Sequence, residues 1–511
     1  MPPVAESPLN TCMNESSTPA THWYEATRVE SAARPRLGYD LDVDVCVIGG
    51  GLAGLTTARE VARRGWSVVL IEANRLGSAA SGRNSGFVLP GFSEDIDSIV
   101  ERIGLDHAKQ LWALSQDGVA YIRETIRETA MPGVDPADGW LNVSKIDNGR
   151  AVHTAVERLR WIGAEVEVWP TARVRQALAS AHYFDAMHFP SAFHIHPLNY
   201  VLGLARAAEI AGARIFEDTP AVAIDPAGVR KRVQTPSGMV RAAHVVLAGN
   251  VQLGALMPRL AATLVPVTTY VVVTEPLGNV VNEVVRYRGA VSDGKRADNH
   301  YRVVGGEHTG GERLQWSGRI TTRPADPRRF ARSLVTNMRR VFPQLGEIKI
   351  AHAWSGTLGR AVHRMPQIGE ISRGLWVASA FAGHGLNTTA MAGELVARGI
   401  LENDQTWRLF APYELVWAGG RLGRVIVRAV NLASRPPALA AESFSRYRER
   451  ARVRAEARAA QVRAALPAPA MRRPPSKSPN AASTADASGH KGPERRKGSR
   501  RKHRAGRAKA E

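Results

Sequence analysis

The chain has 511 residues, 44% of them hydrophobic, and a formal net charge of +21. That length exceeds one simple core and fits two domains plus tails, and the apolar share is that of a globular protein. No apolar run approaches the roughly 18–20 residues of a bilayer span, so no transmembrane segment is expected. Residues 1–20 show no charged start leading into an apolar stretch, so no secretory signal is read there. Two cysteines, Cys12 and Cys46, cannot build a disulfide framework, and a cytoplasmic location is expected.

The charge is concentrated at one end. From Arg446 to Glu511 there are 20 Lys/Arg against 5 Asp/Glu, a net +15, which leaves +6 on the 445 residues before it. Residues 467–511 mix Pro, Ser, Ala and Gly with Arg495-Arg496-Lys497 and Arg500-Arg501-Lys502, and such a composition predicts a disordered basic tail. A tail of this kind makes weak, non-specific polyanion contacts. It holds no aromatic residue to stack on a base, so specific nucleic-acid reading is not expected.

Taken in chain order, residues 1–39 form a tail that carries the segment His22-Trp23-Tyr24-Glu25-Ala26-Thr27, predicted to pack on the domain that a short Pro-containing linker joins to it. Val45-Cys-Val-Ile48 reads as a strand, Gly49-Gly-Gly51-Leu-Ala-Gly54 as a glycine turn, Leu55 to Arg64 as a helix, and Val68-Val-Leu-Ile71 as a second strand closed by Glu72. In such a unit Gly49 permits the tight turn, Gly51 admits a pyrophosphate to the backbone, and Gly54 lets helix and strand approach. Glu72, 18 residues after Gly54, is placed to hydrogen-bond a ribose 2′-OH. The small residues of Ser81-Gly82-Arg83-Asn84-Ser85-Gly86 let a loop return beneath the phosphates, with Arg83 to neutralise them.

Further along, helices are predicted over 93–130, 151–163, 198–211 and 327–341, the third opened by His194-Ile-His196-Pro197. Strands are predicted near 140–143, 213–216, 222–224, 245–250, 265–275, 289–291 and 313–319, with Ala221 at the head of the third as a cofactor-side candidate. Late in the chain a second glycine turn, Gly383-His384-Gly385-Leu386, follows the apolar run Val377-Ala-Ser-Ala-Phe-Ala and opens another helix. Its N–H groups point a positive helix end into the nucleotide cleft, where they stabilise negative charge on a bound cofactor. The alternation predicts an α/β fold: a Rossmann-type dinucleotide-binding domain (an FAD-binding domain on the resemblance given next) from 40–90, 191–260 and 351–402, interleaved with a mixed-sheet α+β substrate domain from 91–190 and 261–350. A helical extension is expected over 403–466. No Cys/His/Asp cluster has metal-ligand spacing.

Taken together, the glycine turn with Glu72, the Ser81–Gly86 loop, Arg364-Met-Pro-Gln-Ile-Gly369 and Gly383-His-Gly-Leu-Asn387 resemble the FAD-dependent glycine/D-amino-acid oxidase family, and within it the gamma-glutamylputrescine oxidase branch. The resemblance spans about residues 22 to 420 and departs from the usual pattern at Ser85, where a glycine is common, and at His363, where many members carry an Asp. It implies FAD as cofactor and oxidation of an amine or amino acid by hydride transfer, with O2 as oxidant, peroxide as product and a place in polyamine catabolism. With no Cys near Trp354 and no His in 81–86, the FAD is expected to be noncovalent. On the substrate side, Tyr301-Arg302 resembles the family's aromatic-Arg pair, which implies that Arg302 binds a substrate carboxylate. Tyr270 is a candidate for the slot wall and His384 for the flavin edge. The competing reading is a D-amino-acid or N-methyl-amino-acid dehydrogenase that passes electrons to a quinone.

Overall fold

A computed structural model describes residues 22–294, 299–433 and 435–465. The predicted basic tail over 467–511 lies outside these residues, as do Cys12 and the first part of the N-terminal tail. The chain divides into two compact bodies, 1–451 and 452–511; in the second, residues 452–465 are helical. Both sheets belong to the first body.

The first sheet has eight strands, and its path runs 367–372, 375–379, 238–247, 41–48, 68–71, 214–216. From 375–379 onward its neighbours are parallel, with Val45 level with both Val68 and His244. Val68–Ile71 is buried at every position, as a strand covered on both faces requires. The helices Leu52–Arg63, Pro197–Ile210 and Gly385–Leu401 join one core with Val45 and Val47, whereas Cys46, Ile48 and Val69 face a second core.

The second sheet has nine strands, with the order 350–360, 265–274, 311–321, 300–306, 290–292, 137–143, 186–194, 87–88. One face buries Tyr270, Tyr301, Trp316 and Leu314 beneath the helix Arg328–Val341. The chain is thus an α/β fold in which a parallel-centred sheet and a mixed sheet are interleaved in sequence.

Sheet membership corrects three of the expected boundaries. Ile350–Arg360 pairs with Val265–Thr274 in the second sheet, so 351–360 belong there and not with the nucleotide region. Phe87–Val88 also pairs in the second sheet, and the strand Ala186–His194 crosses the expected boundary at 190. Alternating half-buried strands such as Ile350–Arg360 lack the continuous apolar run that marked the parallel ones. His194 therefore ends a strand, and only His196 caps the helix, accepting from Asn199 N–H at 3.1 Å. The helix expected over 93–130 is two, Ile96–Ile103 and Leu105–Thr129, broken at Gly104 with φ +82°.

Candidate active site

Strand Leu41–Ile48 runs into Gly49, whose φ of +115° no branched residue adopts and whose Cβ would lie 2.8 Å from Ala248 C. A Cβ on Gly54 would sit 2.1 Å from Gly49 O, so helix and strand meet at a distance only glycine permits. Gly51 stands at the head of Leu52–Arg63, where a Cβ would meet Ser81 Oγ at 2.9 Å. That hydroxyl accepts from Leu52 N–H at 3.0 Å. Glu72 leaves the end of its strand beside this turn: its carboxylate accepts from Gly50 N–H at 2.6 Å and from Asn74 N–H at 2.9 Å. Ala221 packs against the core that holds Cys46 and Val69.

The loop after Ser81 is wired to both sheets. Asn84 donates to the carbonyls of Ala80 and Ser81 and accepts from Gly86 N–H at 2.7 Å, so its side chain fixes the loop's own backbone. Ser85 Oγ lies 2.9 Å from Ser317 Oγ, and its carbonyl accepts from Gln315 Nε2 at 2.9 Å. Trp354 Nε1 donates to Arg83 O at 3.0 Å, while Arg83 Nε is buried without a hydrogen-bond partner among the described residues.

Side chains alternate along a strand, so these contacts identify the face of the second sheet that meets the loop. Trp354, Val271, Ser317 and His300 stand opposite one another across strands, as do Gln315 and Arg302. Tyr270 has the other parity. It is fully buried against Phe330 at 4.2 Å and its OH is bound to Thr321 Oγ1 at 2.8 Å, so it does not line the slot.

Arg302 faces the loop, but its guanidinium is taken up inside the protein. It donates to Ile195 O at 2.7 Å, His194 Nδ1 at 2.8 Å and Tyr24 OH at 3.2 Å, and lies 3.4 Å from Gln315 Oε1. His194 Nε2 lies 2.9 Å from Arg288 O, which places the proton on Nε2 and leaves Nδ1 to accept from Arg302. In these contacts Arg302 ties the N-terminal segment, the end of strand 186–194 and the second sheet together, while its Nε is buried without a hydrogen-bond partner among the described residues; a positioning role accounts for the contacts, in place of the expected grip on a substrate carboxylate. The pattern Tyr301-Arg302 did not reveal that Tyr24, buried completely, would occupy the guanidinium.

The residue overlooked in the sequence is His300, two positions before Arg302 and hence on the same face. Its Nδ1 lies 2.8 Å from Ser292 Oγ, which also accepts from Trp140 Nε1 at 2.9 Å, and its ring packs edge-on to Phe87 at 6.2 Å. His384 caps the helix Gly385–Leu401, and Ser93 Oγ accepts from Gly383 N–H at 2.8 Å. Burial, with a smaller push from His300, lowers the His384 pKa to about 4; burial also lowers that of His300. Both imidazoles are neutral at pH 7.

These residues fit FAD. Arg83 Nε is an unmatched buried donor, a Cβ on Gly385 would meet nothing within 4 Å, and Ser81 alone among the described residues lies within 4 Å of a Cβ built on Gly51. The leading N–H groups of two helices have no helical acceptors, as at any helix start.

A glycine turn on a parallel sheet, facing a mixed sheet that closes over it, defines a dinucleotide-dependent oxidoreductase of two interleaved sheets. The family model described as DAO, FAD dependent oxidoreductase, matches residues 44–398. The chain belongs to this family, and FAD is its cofactor. It is 32% identical over 421 residues to gamma-glutamylputrescine oxidoreductase of Escherichia coli, covering 80% of this chain and 96% of that protein. A probable oxidoreductase of Haemophilus influenzae is 31% identical, covering 79% of this chain and 93% of its own length. In fold it is similar to glycine oxidase from Geobacillus kaustophilus, with TM-score 0.62, 21% identity and coverage of 74% of this chain and 99% of that one.

Proposed function

We propose that the protein oxidises the carbon–nitrogen bond of a small amine or amino acid resembling gamma-glutamylputrescine, using O2 as final oxidant. What carries the substrate class is the likeness, along 96% of its length, to a gamma-glutamylputrescine oxidoreductase. FAD bound at the glycine turn would supply a two-electron acceptor for the hydride of the amine-bearing carbon, with O2 as the oxidant that returns it to the oxidised form. Glu72 would hold the ribose, the head of Leu52–Arg63 and Arg83 would hold the diphosphate, and the head of Gly385–Leu401 would serve the pyrimidine edge.

The slot side is furnished by His300, Ser317 and His384. Two neutral imidazoles with lowered pKa are poor bases at pH 7 and good hydrogen-bonding partners. The reacting amine therefore has to arrive without its extra proton, and these rings orient it as hydrogen-bonding partners. Once the imine forms, water adds to it and releases ammonia or an amine with an aldehyde or keto acid. We place the enzyme in the reducing cytoplasm, and we assign weak, non-specific polyanion contact to the basic residues after Arg446.

The test is an anaerobic flavin-bleaching screen over gamma-glutamylputrescine, polyamines, D-amino acids and N-methyl glycines. Rapid bleaching by gamma-glutamylated or free polyamines, followed by peroxide on admitting air, is expected. Bleaching by D-amino acids or N-methyl glycines alone, with turnover that needs an added quinone, would replace this reading with the dehydrogenase.

A further inference from the structure

Residues 415–433 carry three arginines, Arg421, Arg424 and Arg428, and no acidic residue. The stretch ends in the helix Gly420–Ala433. Arg421, Arg424 and Arg428 have the i, i+3, i+7 spacing of one helical stripe. Leu422, Val425, Ile426 and Ala429 have that of another.

A helix with this pattern normally turns its apolar stripe inward. Here the stripe faces solvent: Leu422 is 65% exposed, Val425 62% and Ile426 54%. Just before the helix, Trp417 is 67% exposed, and Leu415 and Val416 each 43%. The segment is nevertheless firmly seated. Ala418 N–H donates to Ala262 O at 2.8 Å, Ala418 packs with Val265 and Val267, and His363 Nε2 lies 3.2 Å from Glu414 O. Gly423 is buried, so the helix lies on the protein by its glycine side. Six large apolar side chains on a seated segment form a patch of the kind that marks an interaction surface.

We propose that this face docks the protein on an anionic lipid bilayer, lying in the headgroup plane. The chemistry selects that occupant. An apolar stripe inserts among acyl chains, the exposed Arg424 in a segment free of acids meets anionic headgroups, and an exposed Trp belongs at the interface between them. Among the described residues no helix is long and apolar enough to cross a membrane, so the contact is peripheral. Arg424 is exposed beside the apolar stripe, where it reaches headgroups while Leu422 and Val425 enter the lipid.

The experiment is vesicle co-sedimentation of the full-length holoprotein. One set of vesicles is phosphatidylcholine alone, and the other contains about one quarter phosphatidylglycerol. The variant Leu422→Ser/Val425→Ser/Ile426→Ser changes only exposed side chains and adds no charge, and retained flavin and amine turnover verify its fold. The expected result is binding of the full chain to the phosphatidylglycerol vesicles, reduced at least about tenfold in the variant. Arg424→Gln lowers the same binding by a smaller factor, seen at low salt only. Equal binding of full chain and triple variant would overturn the proposal by locating the lipid contact in the basic residues after Arg446. Absence of vesicle binding would also overturn it. A dimer that the variant turns into monomer, with no vesicle binding, would give the face to a second copy of this chain.

Discussion

Gly54→Ala tests the nucleotide site through one methyl group. Its Cβ would stand 2.1 Å from Gly49 O and 3.1 Å from Val47 Cγ1. A carbon–oxygen contact relaxes at about 3.3 Å, so the helix Leu52–Arg63 must retreat by about 1 Å from its strand. Overpacking of this kind costs about 1–3 kcal/mol. Because the retreat moves the N–H groups at the helix head, much of that cost falls on FAD affinity, a weakening of about 5- to 150-fold. Gly51→Ala is the control: its Cβ would meet Ser81 Oγ at 2.9 Å, a side chain that can rotate away. That variant loses the cap on Leu52 N–H, worth about 1 kcal/mol, and keeps the fold. The assay is the flavin-to-protein absorbance ratio after dialysis, with thermal melting of the apoproteins alongside. Gly54→Ala protein with full flavin and an unchanged melting temperature would refute the reasoning.

Arg302→Lys should destabilise the protein by about 2–4 kcal/mol through lost charged hydrogen bonds, with flavin content falling in step; an unchanged melt with KM raised more than about tenfold would restore the substrate-carboxylate role. Acid should weaken the fold early. His22, His182 and His384 are lowered to about 4, and His194 and His196 to about 3, each chiefly by burial. The unfolded chain, with histidines near 6.5, binds more protons in this window, so stability is lost as pH falls from about 6.5 toward 4. A urea midpoint that is flat between those values would contradict the neutral assignment. Acid precipitation should leave the flavin in the supernatant, since the Cys46 thiol is fully buried and pushed up to about 12; a yellow pellet would show a covalent bond.

The nucleotide half was legible because its physics is local. Gly49, Gly51, Gly54 and Glu72 are fixed by one turn between adjacent strands, and parallel strands such as Val68–Ile71 announce themselves as unbroken apolar runs. The substrate half was not, because its residues act across long separations. Tyr24 and Arg302 meet 278 residues apart, and Ser85 and Ser317 232 apart. No spacing within either segment encodes such a contact. Nor does a motif-like run announce which of its side chains serve the loop itself: Asn84 closes its own backbone, a local role that its sequence neighbours do not signal.

Strand parity settles what motif reading could not. On 300–306 the aromatic-Arg pair splits between faces: Tyr301 stacks on Trp316 at 4.3 Å in the helix-covered core, and Arg302 points to the loop. A residue pair read as a unit thus divides into a core residue and a positioning residue, and the same alternation puts His300 with Ser317 on the side that meets the Ser81–Gly86 loop. There it meets the influence of His384 from the other sheet, which itself starts a helix. On the proposed function these two neutral rings, one from the second sheet and one from the helix start beyond the first, would furnish a slot whose polarity depends on the closure of the two halves. Weakening that closure, as at Arg302, should therefore admit water and raise both histidines toward their ordinary value near 6.5. A pH–rate profile of Arg302→Lys reads this directly. A new acidic limb near pH 6, absent from the parent enzyme, is the expected result, and superimposable profiles would show that the rings keep their environment without the tie.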